Sequence, residues 1–338
     1  MSPLSRRGRL AALAAVTAAA VLFPLVATAP AVQNAAILML MTAQLGVAWN
    51  LLGGYAGQVS LGHAAFFGCG AYVSSFLLLR FGLSPWLGMA AGALAAAGLS
   101  MIVGWPCFRL RGHYFAMATI AVGEIVQAVV TNWEALGGAV GLYLPVAEAG
   151  WRGLVWNATK VPYYYVALGL LAVTLLVSAA VVRSHVGYYL RAIKDEPDAA
   201  RSLGVSLTRY KLVAIALSSA LTAAGGTLYA QKELYIDPGS VLPTSLSIKV
   251  ALVAILGGVS TLSGPVIGAV VLTAIEEGSR RVFGGTGRGT DLVIYGLLIV
   301  AVAVFRPAGI LGILELRRRA PADAAAPAAG AAAGGQGT

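Results

Sequence analysis

Residues 162–182 read PYYYVALGLLAVTLLVSAAVV, and this run contains no charged side chain. A helix needs about 20 predominantly apolar residues to cross the hydrocarbon core of a bilayer, so this run is long enough to span a membrane. Similar runs recur along the chain, in which 59% of the 338 residues are hydrophobic and 11% are charged. A soluble globular domain has about 25% charged residues. The sequence therefore predicts an all-α polytopic integral membrane protein.

The apolar runs predict about 8–10 transmembrane helices, some of them broken or re-entrant. The N-terminal run could be a secretory signal peptide, but its apolar core exceeds the ~7–15 residues usual there, so we favour a retained first helix. Residues 247–275 are interrupted by glycines and Pro265, and predict either one tilted span or two half-helices meeting at a break. The other predicted spans are residues 9–29, 35–52, 63–80, 85–105, 113–132, 162–182, 211–231 and 291–305.

The basic residues predict the orientation of the chain. The N-terminal tail, residues 106–112, residues 183–211 and the tail from Arg306 hold fifteen of the 23 lysines and arginines. Because cytoplasmic loops carry an excess of such residues, both termini and residues 183–211 are expected in the cytoplasm. We expect one transmembrane domain over residues 1–316, followed by a disordered Ala/Gly/Pro-rich tail at residues 317–338.

Charge and cysteine content exclude several other classes of protein. The formal net charge is +10, but the basic residues are dispersed among short loops, which is unlike a nucleic-acid-binding surface. Cys69 and Cys107 are far apart and lie in or beside apolar runs, so neither a disulfide framework nor a metal site is expected. Membrane lipid is the surrounding medium that the composition predicts.

One polar segment separates two long apolar runs: residues 187–212 read GYYLRAIKDEPDAARSLGVSLTRYKL. Asp195 and Glu196 before Pro197 favour a helix start, and Gly204 favours a stop, so residues 196–203 predict about two helical turns, roughly 12 Å long. The apolar face of the whole segment is expected to press into a groove on another protein, and it is formed by Leu190, Ile193, Ala199, Ala200 and Leu203. The alternative is a solvated connecting loop.

The same segment carries a family resemblance. RAIKDEPDAARSLGVSLTRYKL resembles the cytoplasmic coupling loop of permease subunits in branched-chain amino acid ABC importers. LLGGYAGQVSLGHAAFFGCGAY (51–72), RLRGHYFAMATIAVGEI (109–125) and LVAILGGVSTLSGPVIGA (252–269) agree with it in order and spacing, so the resemblance covers residues 45–275. RGHYFA followed by GE, with the extra N-terminal helix, resembles the longer M-type subunit. His113 departs from the acidic or small polar residue expected there.

The resemblance implies a permease subunit that translocates leucine, isoleucine and valine in the inner (plasma) membrane of a bacterium. It implies an H-type permease partner, two ATP-binding subunits docked on the coupling loop, and an extracytoplasmic binding protein that delivers substrate. Relatives of this type also carry urea, amides or other compounds, so the substrate stays open. The ATPase-coupling residues so implied are Arg191, Ala192, Ile193, Lys194, Asp195, Glu196, Ala199, Ala200, Leu203 and Gly204.

Enzymatic motifs are missing from the sequence. It has no G-x-x-x-x-G-K-[ST] motif, so ATP would be bound by the partner subunits and the chain itself would need no cofactor. It also has no HExxH and no CxxC motif, and therefore predicts a transporter subunit rather than an enzyme.

Two glycine-rich breaks, beginning at Leu52-Gly53-Gly54 and Leu256-Gly257-Gly258, are candidate parts of a translocation path. A broken helix can expose its polar ends to a cavity, where N-terminal amides would face the carboxylate of an amino acid and carbonyls its ammonium group. The alternative is close packing of small residues. His63 could line a cavity or be a hydrogen-bonded structural histidine.

Glu124 lies in the middle of an apolar span, where an ionised side chain costs about 3 kcal/mol on insertion scales. Gln127 and Thr131 share its helix face, which should point into the bundle or at a water-filled path. Glu124 could be an interhelical lock or gate, a substrate contact, a protonated bystander, or the proton site of a secondary transporter. The candidate path residues are Gly53, Gly54, Gly57, Gln58, Ser60, Gly62, His63, Glu124, Gln127, Gly257, Gly258, Ser263 and Gly264.

Overall fold

The fold was determined as a computed structural model that describes residues 6–110, 112–145, 150–156 and 159–283, and the single positions 293, 296, 297 and 310. Helices dominate it, with one two-stranded antiparallel sheet. The helices are α1 (Arg6–Val26), α2 (Pro30–Asn50), α3 (His63–Phe81), α4 (Pro85–Cys107), α5 (His113–Thr131), α6 (Val161–Arg183), α7 (His185–Asp195), α8 (Pro197–Ser202), α9 (Leu207–Glu233), α10 (Pro238–Val241), α11 (Thr244–Gly257) and α12 (Gly264–Phe283). The strands are β1 (Leu142–Tyr143) and β2 (Tyr235–Ile236).

Seven segments among the described residues are long enough and apolar enough to cross a membrane. They are Pro30–Tyr55, His63–Phe81, Pro85–Cys107, His113–Thr131, Val161–Arg183, Leu207–Glu233 and Pro238–Gly257. Helix α1 contributes a shorter apolar stretch, Thr17–Val26, and α12 has apolar and charged residues. The predicted all-α polytopic fold is confirmed. The predicted span at 291–305 and the tail at 317–338 lie outside the continuously described residues.

The connections between helices define two ends of the bundle. At the strand end, β1 pairs with β2, the Ser84 hydroxyl donates to the Arg152 carbonyl (2.8 Å), and the Trp86 indole N–H donates to the Trp151 carbonyl (2.7 Å). At the opposite end, the α7 end, lie α7, α8 and the breaks at residues 56–62 and 258–263. Loops far apart in sequence thus meet at each end.

Helix α2 is the central helix, buried along most of its length against α6, α9, α11 and α12. Its last residues pass into a π-helical turn, Leu51–Tyr55, before the chain breaks. Glycines allow the helices around it to touch: a Cβ on Gly226 would lie 1.9 Å from the Phe67 carbonyl oxygen, and one on Gly70 would lie 2.0 Å from the Ala223 carbonyl oxygen. Such backbone contact is how membrane helices gain packing energy without a hydrophobic driving force.

The ambiguous stretch at residues 247–275 forms two helices, so the single tilted span is wrong. Helix α11 ends at Gly257, and α12 begins at Gly264 and packs back against it. A Cβ on Gly257 would lie 1.7 Å from the Gly264 carbonyl oxygen, so only glycine permits this crossing. The first of the two is short, and α10 extends it toward the strand end.

The polar segment contains two helices rather than one. The predicted helix at residues 196–203 is confirmed as α8, Pro197–Ser202. The eleven-residue helix α7, which precedes α8, was not predicted from the sequence. A single residue, Ser184, separates α7 from the end of α6. Gly204 ends the pair with a positive φ of 85°.

Candidate functional site

The structure joins the two glycine-rich breaks at the α7 end. The backbone N–H of Ser260 donates to the Asn50 Oδ1 (3.0 Å), and the Ser260 hydroxyl donates to the Gly54 carbonyl (2.8 Å). The Asn50 side-chain amide donates back to the Thr261 carbonyl (2.8 Å). A residue at the end of α2 therefore holds the loop between α11 and α12 through both ends of its side-chain amide.

Helix α7 is attached to the same junction. The Lys194 ammonium donates to the Ser260 hydroxyl (2.6 Å). A Cβ on Gly57 would lie 2.9 Å from the Lys194 Cγ, and Gly57 has a φ of +66°, so glycine is required there twice over. The Arg191 guanidinium lies 6.0 Å from the centre of the Tyr55 ring. We call this contact between α7, residues 50–57 and residues 258–261 the α7 junction.

Part of the apolar face assigned to a partner protein is turned toward the chain's own bundle. Leu190, Ile193 and Ala200 are buried, and Leu190 packs in a cluster with Leu52 and Ile215. The expectation that these three press into another protein is wrong, because the helix ends beneath α7 supply an apolar surface of their own. Of the remaining predicted coupling residues, Ala192 is half-buried, and Arg191, Lys194, Asp195, Glu196, Ala199, Leu203 and Gly204 are exposed.

His63 has the geometry of a structural histidine. The Ser218 hydroxyl donates to the Ala48 carbonyl (2.7 Å), so His63 Nε2 donates to that hydroxyl (2.9 Å). The Ser60 hydroxyl lies 3.2 Å from the other ring nitrogen, Nδ1, and donates to it. Both ring nitrogens of the fully buried side chain are therefore occupied within the chain.

The amides at the two helix starts are engaged by the chain's own hydroxyls. The Leu61 and Ala64 N–H groups donate to Thr119 Oγ1 (3.0 Å) and Ser247 Oγ (2.8 Å). At the start of α12, the Gly264 N–H donates to Thr261 Oγ1 (3.0 Å). These three amides therefore do not face a substrate carboxylate in the described conformation, contrary to the sequence-based expectation, because two hydroxyls from distant segments and one from the preceding loop accept their hydrogen bonds.

Close packing accounts for most of the predicted path glycines. A Cβ added to Gly53 would lie 2.2 Å from the Trp49 ring, and one added to Gly54 would lie 1.9 Å from Asn50 Oδ1. A Cβ added to Gly62 would lie 2.4 Å from the Thr119 carbonyl oxygen. Gly264 would similarly approach the Gly258 carbonyl oxygen at 2.2 Å. Gln58 is half-buried and Ser263 is exposed.

Glu124 lies on the surface of the described chain and not inside its bundle. Its carboxylate accepts a hydrogen bond from the hydroxyl of Thr244, the first residue of α11. This is an interhelical contact between α5 and a helix that begins within the span Pro238–Gly257, immediately after Pro243. Gln127 is half-buried. Its backbone carbonyl accepts a hydrogen bond from the Thr131 hydroxyl (2.7 Å), so the Thr131 side chain is bonded within α5.

An ion pair between α11 and α12 was missed. The Lys249 ammonium lies 2.8 Å from the Glu276 Oε2, and both side chains are largely buried. The two residues are 27 positions apart, so no local pattern joins them. The fold-back at residues 258–263 creates the pair, which could have been suspected only from two opposite charges on adjacent apolar helices.

Comparison with known proteins gives a consistent result. A family model described as branched-chain amino acid transport system / permease component matches residues 31–302. The permease protein LivM of the high-affinity branched-chain amino acid transport system of Escherichia coli is 29% identical over 321 residues, covering 88% of this chain and 74% of LivM.

Two further relatives cover 82% of this chain. BraD of Pseudomonas aeruginosa, a permease protein of the same type of system, is 26% identical, with 93% of its length covered. LivH of Escherichia coli is 25% identical, with 92% of its length covered. No solved structure matches the chain significantly.

Proposed function

This chain belongs to the family of branched-chain amino acid transport permease components, and we propose that it is the membrane-spanning subunit of an ATP-driven importer for leucine, isoleucine and valine. The greater identity to LivM than to LivH agrees with the expected M-type subunit. The proposal includes an H-type permease partner, two separate ATP-binding subunits and an extracytoplasmic binding protein. Urea, amides or other amino acids remain alternative cargo.

The α7 junction is the observation that supports ATP coupling. A partner that moves α7 moves Lys194, and Lys194 is bonded to the loop that joins α11 to α12. That loop is bonded in turn to Asn50 and Gly54 at the end of the central helix. Energetic coupling between distant sites is carried by such chains of bonded and packed groups when they have two arrangements.

The exposed surface of α7 and α8 is the proposed docking site for the ATP-binding subunits. Leu203 is 85% exposed and Tyr188 is 71% exposed. A cavity of about 200 Å³ opens beside Leu203 and is lined also by Gly204 and Arg209. Apolar side chains surrounded by charges suit a protein interface, which usually combines an apolar centre with a polar rim.

The exposed position of Glu124 supports a proposal for the contact with the second permease. A carboxylate facing lipid at membrane depth costs about 3 kcal/mol, whereas one facing protein or water does not. We therefore assign the face of α5 that carries Glu124, with the start of α11, to the contact with the second permease and the path between the two subunits. Glu124 and Thr244 would then form a lock at the edge of that path.

The positive-inside rule supports a cytoplasmic α7 end and cytoplasmic termini in the inner membrane of a bacterium. The strand end would then face outward and receive the binding protein. Exposed aromatic side chains at that end, including Trp133, Tyr143 and Trp151, suit either the membrane interface or a protein contact.

Co-purification with the ATP-binding subunits tests the proposal. Leu203→Asp should remove most of the recovered ATPase, because a charge replaces an exposed apolar side chain at the proposed contact. Val140→Asp is the matched control, since Val140 is also exposed but lies at the strand end, and it should leave recovery unchanged. Equal recovery in both variants would contradict the docking site. Uptake by the purified chain alone, driven by a proton gradient without ATP, would instead support a secondary transporter.

A further inference from the structure

A second cavity, of about 170 Å³, lies among α2, α3, α9, α10 and α11. We propose that it binds one branched-chain amino acid during transport, an inference that rests on the proposed function and adds a site to it. Its volume equals that of roughly five or six water molecules, and it is smaller than the ~300 Å³ at which drug-sized pockets begin. A ligand of the size of a small free amino acid fits this range. The cavity is lined in part by Leu38, Met41, Thr42, Phe67, Leu246 and Lys249.

One part of the cavity wall is apolar and suits an aliphatic side chain. Leu38 and Met41 come from α2, Phe67 from α3, and Leu246 from α11. Met41 and Phe67 are buried, so this wall is held in place by the core rather than by a loop. Phe67 also packs its ring against Tyr229, with the ring centres 5.5 Å apart. These four side chains offer apolar contact to a ligand and no hydrogen-bonding group for a polar ligand side chain.

The rest of the cavity wall includes the positively charged Lys249, which is paired with Glu276. Lys249 lines the cavity, and its ammonium is paired with Glu276 at 2.8 Å. An ionisable residue within a spanning segment is expensive and commonly marks a substrate or ion pathway. A paired lysine and glutamate present both signs of charge, and a free amino acid is a zwitterion that also carries both. We assign the ligand carboxylate to Lys249.

Thr42 supplies the second polar contact. Its side chain is 8% exposed, lines the cavity, and is hydrogen-bonded to none of the described residues. Buried hydroxyls are normally hydrogen-bonded, so one that is left open toward a cavity points to a ligand. The Ser240 hydroxyl also lines the cavity, but unlike that of Thr42 it is already hydrogen-bonded to the Asp237 backbone. We therefore assign the Thr42 hydroxyl to the ligand carboxylate, beside Lys249.

A larger cavity lies at the strand end. It has a volume of about 780 Å³ and is lined in part by Asn34 on α2 and by Lys232 and Glu233 on α9. Asn34, Leu38 and Met41 follow one another on one face of α2, since residues spaced three or four apart share a helix face. Lys232 and Glu233 lie one turn beyond Tyr229, which lines the smaller cavity. Both cavities are therefore lined in part by α2 and α9.

Leucine uptake by the complete importer in liposomes, with binding protein and ATP, tests the proposed site. Thr42→Val keeps the shape of the side chain but removes the hydroxyl, and should raise the KM for leucine about three- to tenfold, the effect of one lost hydrogen bond. Met41→Trp should block the cavity and lower leucine uptake about tenfold or more. Met39→Trp, on another face of α2, is the matched control and should leave the KM unchanged.

The outcomes separate the site from the proposed function. Wild-type importer that carries leucine, with an unchanged KM in Thr42→Val and unchanged uptake in Met41→Trp, would overturn the site and leave the function standing. Wild-type importer that assembles with its partners but carries no leucine would overturn the function itself. Should Met41→Trp fail to assemble, Thr42→Val alone decides, because its shape is that of the native residue.

Discussion

The carboxylates Glu276 and Glu124 both lie on long helices of this bundle, and the chain surrounds them differently. Glu276 on α12 is largely buried and paired with Lys249 of the neighbouring helix. Glu124 on α5 is exposed on the described chain, and its carboxylate accepts a hydrogen bond from the uncharged hydroxyl of Thr244. A charge that is paired inside the chain is stabilised by that chain alone, whereas one left at its surface needs water or another protein. The comparison thus separates an internal site from an interface.

The largest effect is expected from breaking the internal pair. Lys249→Met removes the Lys249 ammonium from the largely buried Glu276 carboxylate and should lower the stability of the solubilised protein by about 2–3 kcal/mol, somewhat less than for a fully buried pair because Lys249 keeps some exposure. Thermal unfolding followed by size-exclusion chromatography measures this. The double variant Lys249→Met with Glu276→Gln should recover much of the loss. A single variant as stable as the wild type would show that the pair is not a buried unit.

A smaller effect on stability, and a larger one on transport, is expected at the surface carboxylate. Glu124→Gln keeps a hydrogen-bond acceptor for Thr244, so stability should change by no more than about 0.5 kcal/mol and the complex should still assemble. Leucine uptake should fall about three- to tenfold, because a charge is lost from the proposed interface and path. Reconstituted importer measures both. Unchanged uptake would leave Glu124 a bystander.

The smallest effect on stability is expected at Lys194, whose ammonium is exposed and bonded to the Ser260 hydroxyl. Lys194→Met keeps the apolar stem against Gly57 and should change stability by about 0.5 kcal/mol or less, as for exposed charged contacts. Its effect should appear as weaker coupling, with ATP hydrolysis retained and uptake per ATP lowered. Arg80→Met, also exposed but at the strand end of α3, is the control for a lost positive charge. Equal uptake per ATP in both variants would contradict a role for the α7 junction.

The sequence predicted the features that depend on local pattern. Apolar runs located the spans, because the length of a crossing helix is set by the bilayer. Pro197 and Gly204 located α8, and the glycines at 257 and 264 located the break between α11 and α12. Each of these signals lies within a few residues of the feature it predicts.

Features that depend on contacts between distant segments could not be predicted in this way. Leu190 and Ile193 have the same apolar character whether they face a partner or their own bundle, and only the position of the helix ends beneath them decides. The amides at the start of α3 were expected to be available, but Ser247, 183 residues away from Ala64, bonds one of them. The Lys249–Glu276 pair likewise depends on the fold-back of α12.

The π-helical turn at Leu51–Tyr55 has a consequence for how the central helix tolerates strain. Such turns are rare, wider than α-helical ones, and frequent at functional sites. This one lies between the buried length of α2 and Gly57, the point where Lys194 approaches the backbone. We expect a push on Gly57 to be absorbed by tightening or loosening that single turn. The rest of α2 can then keep its packing against the neighbouring helices throughout the transport cycle.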